Sequence, residues 1–232
     1  MSPVYKKENP AISISQSKAT KNSLIHIHKV EKLSMSNYIL YYWDSGLSFF
    51  PIKWGETTPL EKDFLKYEGK TPKARELAEW LDTYQHFNIG LFLGKLSRTV
   101  AFCFPSLESM RDWFWRLSEK NRKLVASSGF ISAMKVNSQL AGIFLVMKTH
   151  DQKYIPRKTK RGGNIRGTDL FLYWPSRRPC VLGSKYFILL PPSRVGDIEF
   201  ELWMLRSFNA EEDWEIVSPI SGDTLKELIN SL

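Results

Sequence analysis

Apolar positions along this chain switch between the three-to-four-residue spacing of helices and the short continuous or alternating runs of strands. Ser36 is placed to cap a helix over Asn37 to Asp44, which Gly46 stops. Leu47 to Lys53 then reads as a buried strand, followed by a turn through Gly55 and Pro59. Thr71-Pro72 offers a capping hydroxyl and a proline at the first helical position. The helix it opens puts Arg75, Leu77, Trp80, Leu81 and Tyr84 on one face. Ile89 to Gly94 and Thr99 to Phe104 read as two short strands joined by a Gly-Lys-Leu-Ser turn. Ser106 caps a further helix whose stripe of Leu107, Met110, Trp113, Phe114 and Leu117 is core. Ile131 to Val136 and Ile143 to Lys148 form a strand pair. A Gly- and Arg-rich loop over 157–167 leads to Leu170 to Trp174, then to the apolar Tyr186 to Leu190 and a Pro191-Pro192-Ser193 turn. A strand around Phe200 to Trp203 and a helix near Thr224 to Leu232 end the chain. No stretch repeats another. The pattern predicts an α+β domain, with helices flanking a single mixed β-sheet core.

Composition supports a folded domain. The 232 residues are 43% apolar and 13% aromatic, which excludes wholesale disorder. No apolar stretch approaches the roughly 20 residues of a membrane helix, and no apolar h-region follows the basic N-terminus. The chain therefore reads as a cytoplasmic protein without a membrane partner. Cys103 and Cys180 make no disulfide framework, and neither has metal-ligand spacing. The four histidines do not cluster with them, so the residues call for no metal and no cofactor.

Charge is unevenly placed around a formal net of +9. Residues 1–32 carry six Lys and two Glu among many small polar residues, so 1–34 is expected to be a flexible basic tail and 35–232 the domain. Residues 148–187 hold ten Lys/Arg against Asp151 and Asp169, whereas 195–232 holds nine Asp/Glu against Arg206 and Lys226. Such a dipole suits a polyanion or nucleotide at the middle segment, the alternative being two solvated faces.

Three stretches in order resemble a known family. They are Gly46-Leu-Ser-Phe-Phe-Pro-Ile-Lys-Trp-Gly55 with Pro59-Leu60; Trp80 with Asn88-Ile-Gly-Leu-Phe-Leu-Gly94 and Ser97; and Tyr186-Phe-Ile-Leu-Leu-Pro-Pro-Ser193 with Phe200-Glu-Leu-Trp203. Across residues 36–205 the chain resembles the primase–polymerase domain of the archaeo-eukaryotic primase superfamily, an RRM-like fold. Its nearest relatives are expected among crenarchaeal plasmid replication proteins and, in kind, the noncatalytic third subunit of archaeal heterotrimeric primase.

Nucleotidyl transfer in that family uses two divalent metals about 4 Å apart, held by carboxylates. The resemblance places an acidic pair on the strand after the Asn-Ile-Gly segment, where this chain reads Val100-Ala-Phe-Cys-Phe-Pro-Ser106. The two acidic positions fall on Cys103 and Pro105, a poor Mg²⁺ ligand and no ligand. The family's triphosphate-contacting histidine is missing from Ala141-Gly-Ile-Phe-Leu145, and His150 reads as a surface residue. Asp169, after a Gly/basic stretch, matches a third acidic position. The expectation is therefore a protein that is not an enzyme, with neither catalytic residues nor metal ligands.

The expected binding residues are Lys158, Lys160, Arg161 and Arg166, whose neighbouring glycines let backbone amides approach a phosphate, together with Asp169 and Lys53. Lys62 is a weaker companion to Lys53. The Gly-Gly here lacks the Gly-Lys-Ser/Thr ending of a Walker loop, as does Gly94-Lys95-Leu96. Five helical aromatics, Tyr41, Tyr42, Trp43, Trp113 and Trp115, cannot all face one core, so some are expected at an interface. The resemblance implies a primase accessory subunit docked on the small and large primase subunits. It would hold single-stranded DNA, an RNA primer or the initiating nucleotide. A stand-alone plasmid- or virus-borne DNA-binding protein is one alternative. The other is an active polymerase using displaced carboxylates such as Glu108, Asp112 and Asp169.

Overall fold

The computed structural model describes residues 26–31, 33–156, 163–164, 171–172, 178–184, 186–206 and 217–232. Its first helix, α1 (Met35–Asp44), is capped by Ser34, two residues earlier than expected, whose Oγ accepts from the Asn37 amide at 3.2 Å. Strand β1 (His26–Lys29) precedes it and pairs antiparallel with β12 (Ile198–Arg206). This corrects part of the tail expected over 1–34: Ile27 packs into the core beneath the helices, which draws 26–29 into the sheet.

The strands form two sheets, where the pattern led us to expect one. The first runs β1-β12-β5-β6-β4-β9, with β11 (Arg194–Val195) also against β12. Here β4 is Thr99–Phe104, β5 Gly129–Val136, β6 Gln139–Lys148 and β9 Cys180–Leu182, and every neighbour is antiparallel. The second runs β2-β3-β10-β8-β7 through Phe49–Lys53, Phe87–Phe92, Tyr186–Leu190, Phe171–Leu172 and Gly163–Asn164. Its β10 pairs antiparallel with β3 and parallel with β8. Thus β3 and β4, adjacent in sequence, lie in different sheets, with a bridge from Gly94 to Thr99 between them.

Period-two alternation sorts the first sheet's side chains into two cores. Ala101, Cys103, Phe130, Phe144, Val146 and Leu202 face the second sheet and α1. Val100, Phe102, Phe104, Ile131, Ile143 and Leu145 face the helices on the other side. Ser132 joins the sheets directly, its Oγ donating to the Leu189 carbonyl at 3.0 Å. On the second sheet Phe50 packs on Phe92 and on Phe64, with ring centroids 4.4 and 4.9 Å apart.

The outer face is covered by α3 (Leu107–Arg116), α4 (Glu119–Ser128) and α5 (Gly222–Asn230). Ser106 caps α3 as expected, accepting from the Ser109 amide at 3.1 Å. Trp113 lies against Phe102 and Phe104, and its indole N–H donates to Ser231 Oγ at 2.8 Å. The acidic C-terminal segment is thus partly structural: Leu225 and Leu228 are buried, and Glu227 accepts from Asn121. On the second sheet, α2 (Ala74–Thr83) starts after Lys73 instead of Thr71, because the Glu76 carboxylate caps the Lys73 amide at 2.8 Å. Its buried stripe is Leu77 and Trp80, whereas Arg75 and Leu81 are exposed.

Candidate functional site

Asn88 is fully buried on β3; its side-chain amide donates to the carbonyls of Lys53, Glu56 and Arg194, and its oxygen accepts from the Arg194 amide at 2.8 Å. One side chain therefore fastens the turn after β2 to β11. Ser193 Oγ accepts from the Ile89 amide at 2.9 Å, and a Cβ on Gly90 would meet Phe50 and Ile52 within 2.8 Å. The motif positions that carried the resemblance hold the second sheet together.

Strand β4 presents Ala101 and Cys103 to the space between the sheets, with Cys103 buried and its thiol pushed up by burial and by contact with Cys180. Pro105 follows in a bend, and Phe144 and Val146 of β6 share the Cys103 face. Two divalent metals need several carboxylate oxygens converging on one point. Neither strand offers one there, and among the described residues no three His, Cys, Asp or Glu converge to hold an ion. The described residues do not fit a two-metal centre. Glu108 and Asp112 are exposed on α3, on the helix side of the sheet. His150 is exposed, as expected.

Of the expected binding residues, Lys158, Lys160, Arg161, Arg166 and Asp169 lie outside the described residues. Lys53 ends β2, exposed and paired with Glu56 at 2.5 Å, with Trp54 exposed beside the His86 ring. The chain leaves β6 and reaches residue 157 through Pro156, whose carbonyl accepts from the Ser184 amide at 3.1 Å; Ser184 Oγ accepts from the Lys95 amide. Lys95, Arg98 and Lys148 therefore lie at the end of the first sheet from which the basic segment departs.

Sequence reading counted Lys148 only as one of ten cations. It is half-buried at the end of β6, and its ammonium donates to the Ser45 and Gly46 carbonyls at 2.9 and 3.0 Å. These carbonyls follow the C-terminus of α1, where the helix dipole favours a cation. Desolvation, then the Arg98 charge, holds the amine below its usual range. Gly46 has φ +61°, and a Cβ there would stand 2.9 Å from the Lys148 nitrogen. The Gly read as a helix stop also makes room for a cation. No local spacing could have announced that.

A second polar cluster lines a cleft of about 270 Å³ between Phe64–Tyr67 and α2. Glu61 accepts from Lys66 at 2.7 Å, from the Tyr67 hydroxyl and from the Trp80 indole. Burial opposes its ionisation, but these donors outweigh it and hold the carboxyl below its usual range. Four groups close on one another here, which is a bracing network. Of the five aromatics, Tyr41, Tyr42 and Trp113 are buried, Trp43 is partly buried with its indole donating to the Pro72 carbonyl at 2.9 Å, and Trp115 is 46% exposed with Arg122 over its ring.

The architecture is that of an α+β domain whose two sheets share one core, with basic residues gathered at one end of the larger sheet. Residues 39–200 match the family model described as bifunctional DNA primase/polymerase, N-terminal, and the chain belongs to that family. No curated protein matches it. The match covers the first two resemblance motifs and the third as far as Phe200, and ties the chain to DNA replication priming at the level of the family. It also corrects one expectation. The expectation of no enzyme rests on the missing carboxylate pair and the missing histidine, yet the family is one of primase/polymerase domains and points to catalysis. The physical reason is that a carboxylate set is a property of converging segments, and a single strand is a poor witness to it. No described helix is long and apolar enough to cross a membrane.

Proposed function

We propose that the chain carries out template-directed nucleotidyl transfer in DNA replication, making or extending a primer on single-stranded DNA. The observation that carries this reading is the family match over residues 39–200. In the reaction a primer or initiating-nucleotide 3′-oxygen attacks the α-phosphorus of an incoming nucleotide. The new O–P bond forms as the bond to the bridging oxygen breaks and pyrophosphate leaves.

Lys158, Lys160, Arg161 and Arg166 hold phosphate oxygens in this proposal, the arginines bidentately and the lysines as point charges. Asp169 is the acidic group at the reacting end, and Lys148 and Arg98 extend the positive field toward the template. Lys53 is exposed at the opposite end of β2, beside the exposed Trp54, and offers a separate cation next to a ring on which a base can stack.

The test is primer synthesis on single-stranded DNA with labelled nucleotides and Mg²⁺ or Mn²⁺. It is run with the isolated chain and again with the small and large primase subunits, the partners implied by the resemblance. Template-dependent product from the isolated chain, lost in Asp169→Ala, is the expected result. Absence of product from folded wild-type chain overturns the proposal.

A further inference from the structure

Cys103 and Cys180 are far apart in sequence, yet the antiparallel register of β4 and β9 sets them directly opposite each other. Opposed Cβ atoms in such ladders lie about 4.5–5.5 Å apart, close to the roughly 3.5–4.5 Å that a disulfide spans. Both side chains leave the same face of the sheet, and the neighbouring Cys180 adds to burial in pushing the Cys103 thiol up, while Cys103 Sγ donates to the Ala101 carbonyl at 3.8 Å. Neither is in a disulfide; Cys103 is buried and Cys180 partly exposed. Accessibility is therefore asymmetric: a reagent in solution reaches Cys180 first and can be displaced only by Cys103.

We propose that Cys103 and Cys180 are a dithiol pair that closes into an intrachain disulfide when the protein meets a low-molecular-weight disulfide such as oxidised glutathione. The Cys180 thiolate attacks one glutathione sulfur, and one glutathione thiolate leaves. Cys103 then loses its proton to water, and its sulfur displaces the second glutathione from Cys180. Two protein thiols become one disulfide, and the two electrons end on two glutathione thiols. Burial pushes the Cys103 thiol up, so this second displacement is the slow step.

The bond ties an edge to the interior of the sheet. Strand β9 is three residues long and is held by three register pairs to β4. It is where the chain returns to the sheet at the far end of the basic segment, just after Arg178. Closing the disulfide anchors that return to the strand bearing the resemblance's acidic positions. The reduced chain leaves it to backbone hydrogen bonds and the packing of Val181 and Leu182.

The experiment treats the full chain with oxidised glutathione, then denatures, alkylates and weighs it. The expected wild-type result is loss of both alkylatable thiols and of two hydrogens, no retained glutathione, and a Cys103–Cys180 crosslinked peptide that dithiothreitol reverses. C103S is expected to keep one glutathione on Cys180. C180S, altered at the sheet edge and so the safer variant for folding, is expected to keep its single buried thiol unmodified. Two thiols surviving treatment of the wild type, a glutathione adduct that persists on it, or a Cys180-linked dimer would each overturn the proposal.

Discussion

Two partly buried charges, Glu61 and Lys148, are solved in opposite ways by the same fold. Glu61 receives a counter-ion, a phenol and an indole, so its charge is answered from three sides. Lys148 receives two backbone carbonyls and a like-charged neighbour, Arg98. A closed network braces the elements around it, here Phe64–Tyr67 against α2. A cation set only against the end of a helix keeps part of its field for something else. The difference separates scaffold from binding surface more sharply than any count of charges.

The largest expected effect comes from breaking the closed network. Glu61→Leu strands the Trp80 and Tyr67 donors and should cost about 1–3 kcal/mol in urea unfolding. Lys66→Met, which removes a partly exposed partner, should cost less than about 1 kcal/mol. Equal losses from the two would break the contrast.

Next in size is Gly46→Ala. A Cβ at φ +61° costs about 1–2 kcal/mol, and it also collides with the Lys148 ammonium. Unfolding reads the first effect, and a fall in affinity for single-stranded DNA reads the second. Lys148→Met should leave stability within about 1 kcal/mol of wild type, since an apolar stem replaces a desolvated cation that has no counter-ion among the described residues. It should nevertheless lower the slope of log K against log salt by about 0.7, one phosphate's worth on a single strand. A stability loss as large as that of Glu61→Leu would show Lys148 to be scaffold.

The smallest effects are in pH dependence, and they carry opposite signs. Glu61 and Glu201 both ionise more readily in the folded chain, the latter because Lys29, Lys135 and Trp203 outweigh its burial. Their stabilisation is present above the ordinary value of 4.5 and is lost as pH falls through the lowered folded values. Lys148 has a lowered folded value, so its charge opposes folding. That penalty lifts as pH rises through the folded value toward the ordinary 10.5. Thermal melting of wild type against Lys148→Met across the alkaline range should converge as pH rises, and parallel curves would contradict the assignment.

Local chemistry was legible in the sequence where it was strong. The Ser106 cap, the α3 stripe and the β5–β6 pair follow from spacing alone. Helix α4 was not read, because Glu119-Lys-Asn-Arg-Lys is polar throughout its first turns and Val125 is its one apolar residue buried outright. The two-sheet division was hidden for a different reason. Strands β3 and β4 are buried at every position, so their patterns name no solvent face and no partner. At the candidate site, the acidic positions missing from β4 were legible, whereas the conclusion drawn from them was not safe. The Lys148–Gly46 contact, the anchoring by Asn88 and the Cys103–Cys180 register each join segments distant in the chain.

Extension of a labelled primer on a single-stranded DNA template by the isolated chain tests the central claim most directly, with wild type and Asp169→Ala run side by side. The account predicts nucleotide-by-nucleotide, template-directed extension by the wild type and its loss in the variant, with both proteins melting alike. A wild-type chain that is folded and binds the template yet adds no nucleotide would contradict it.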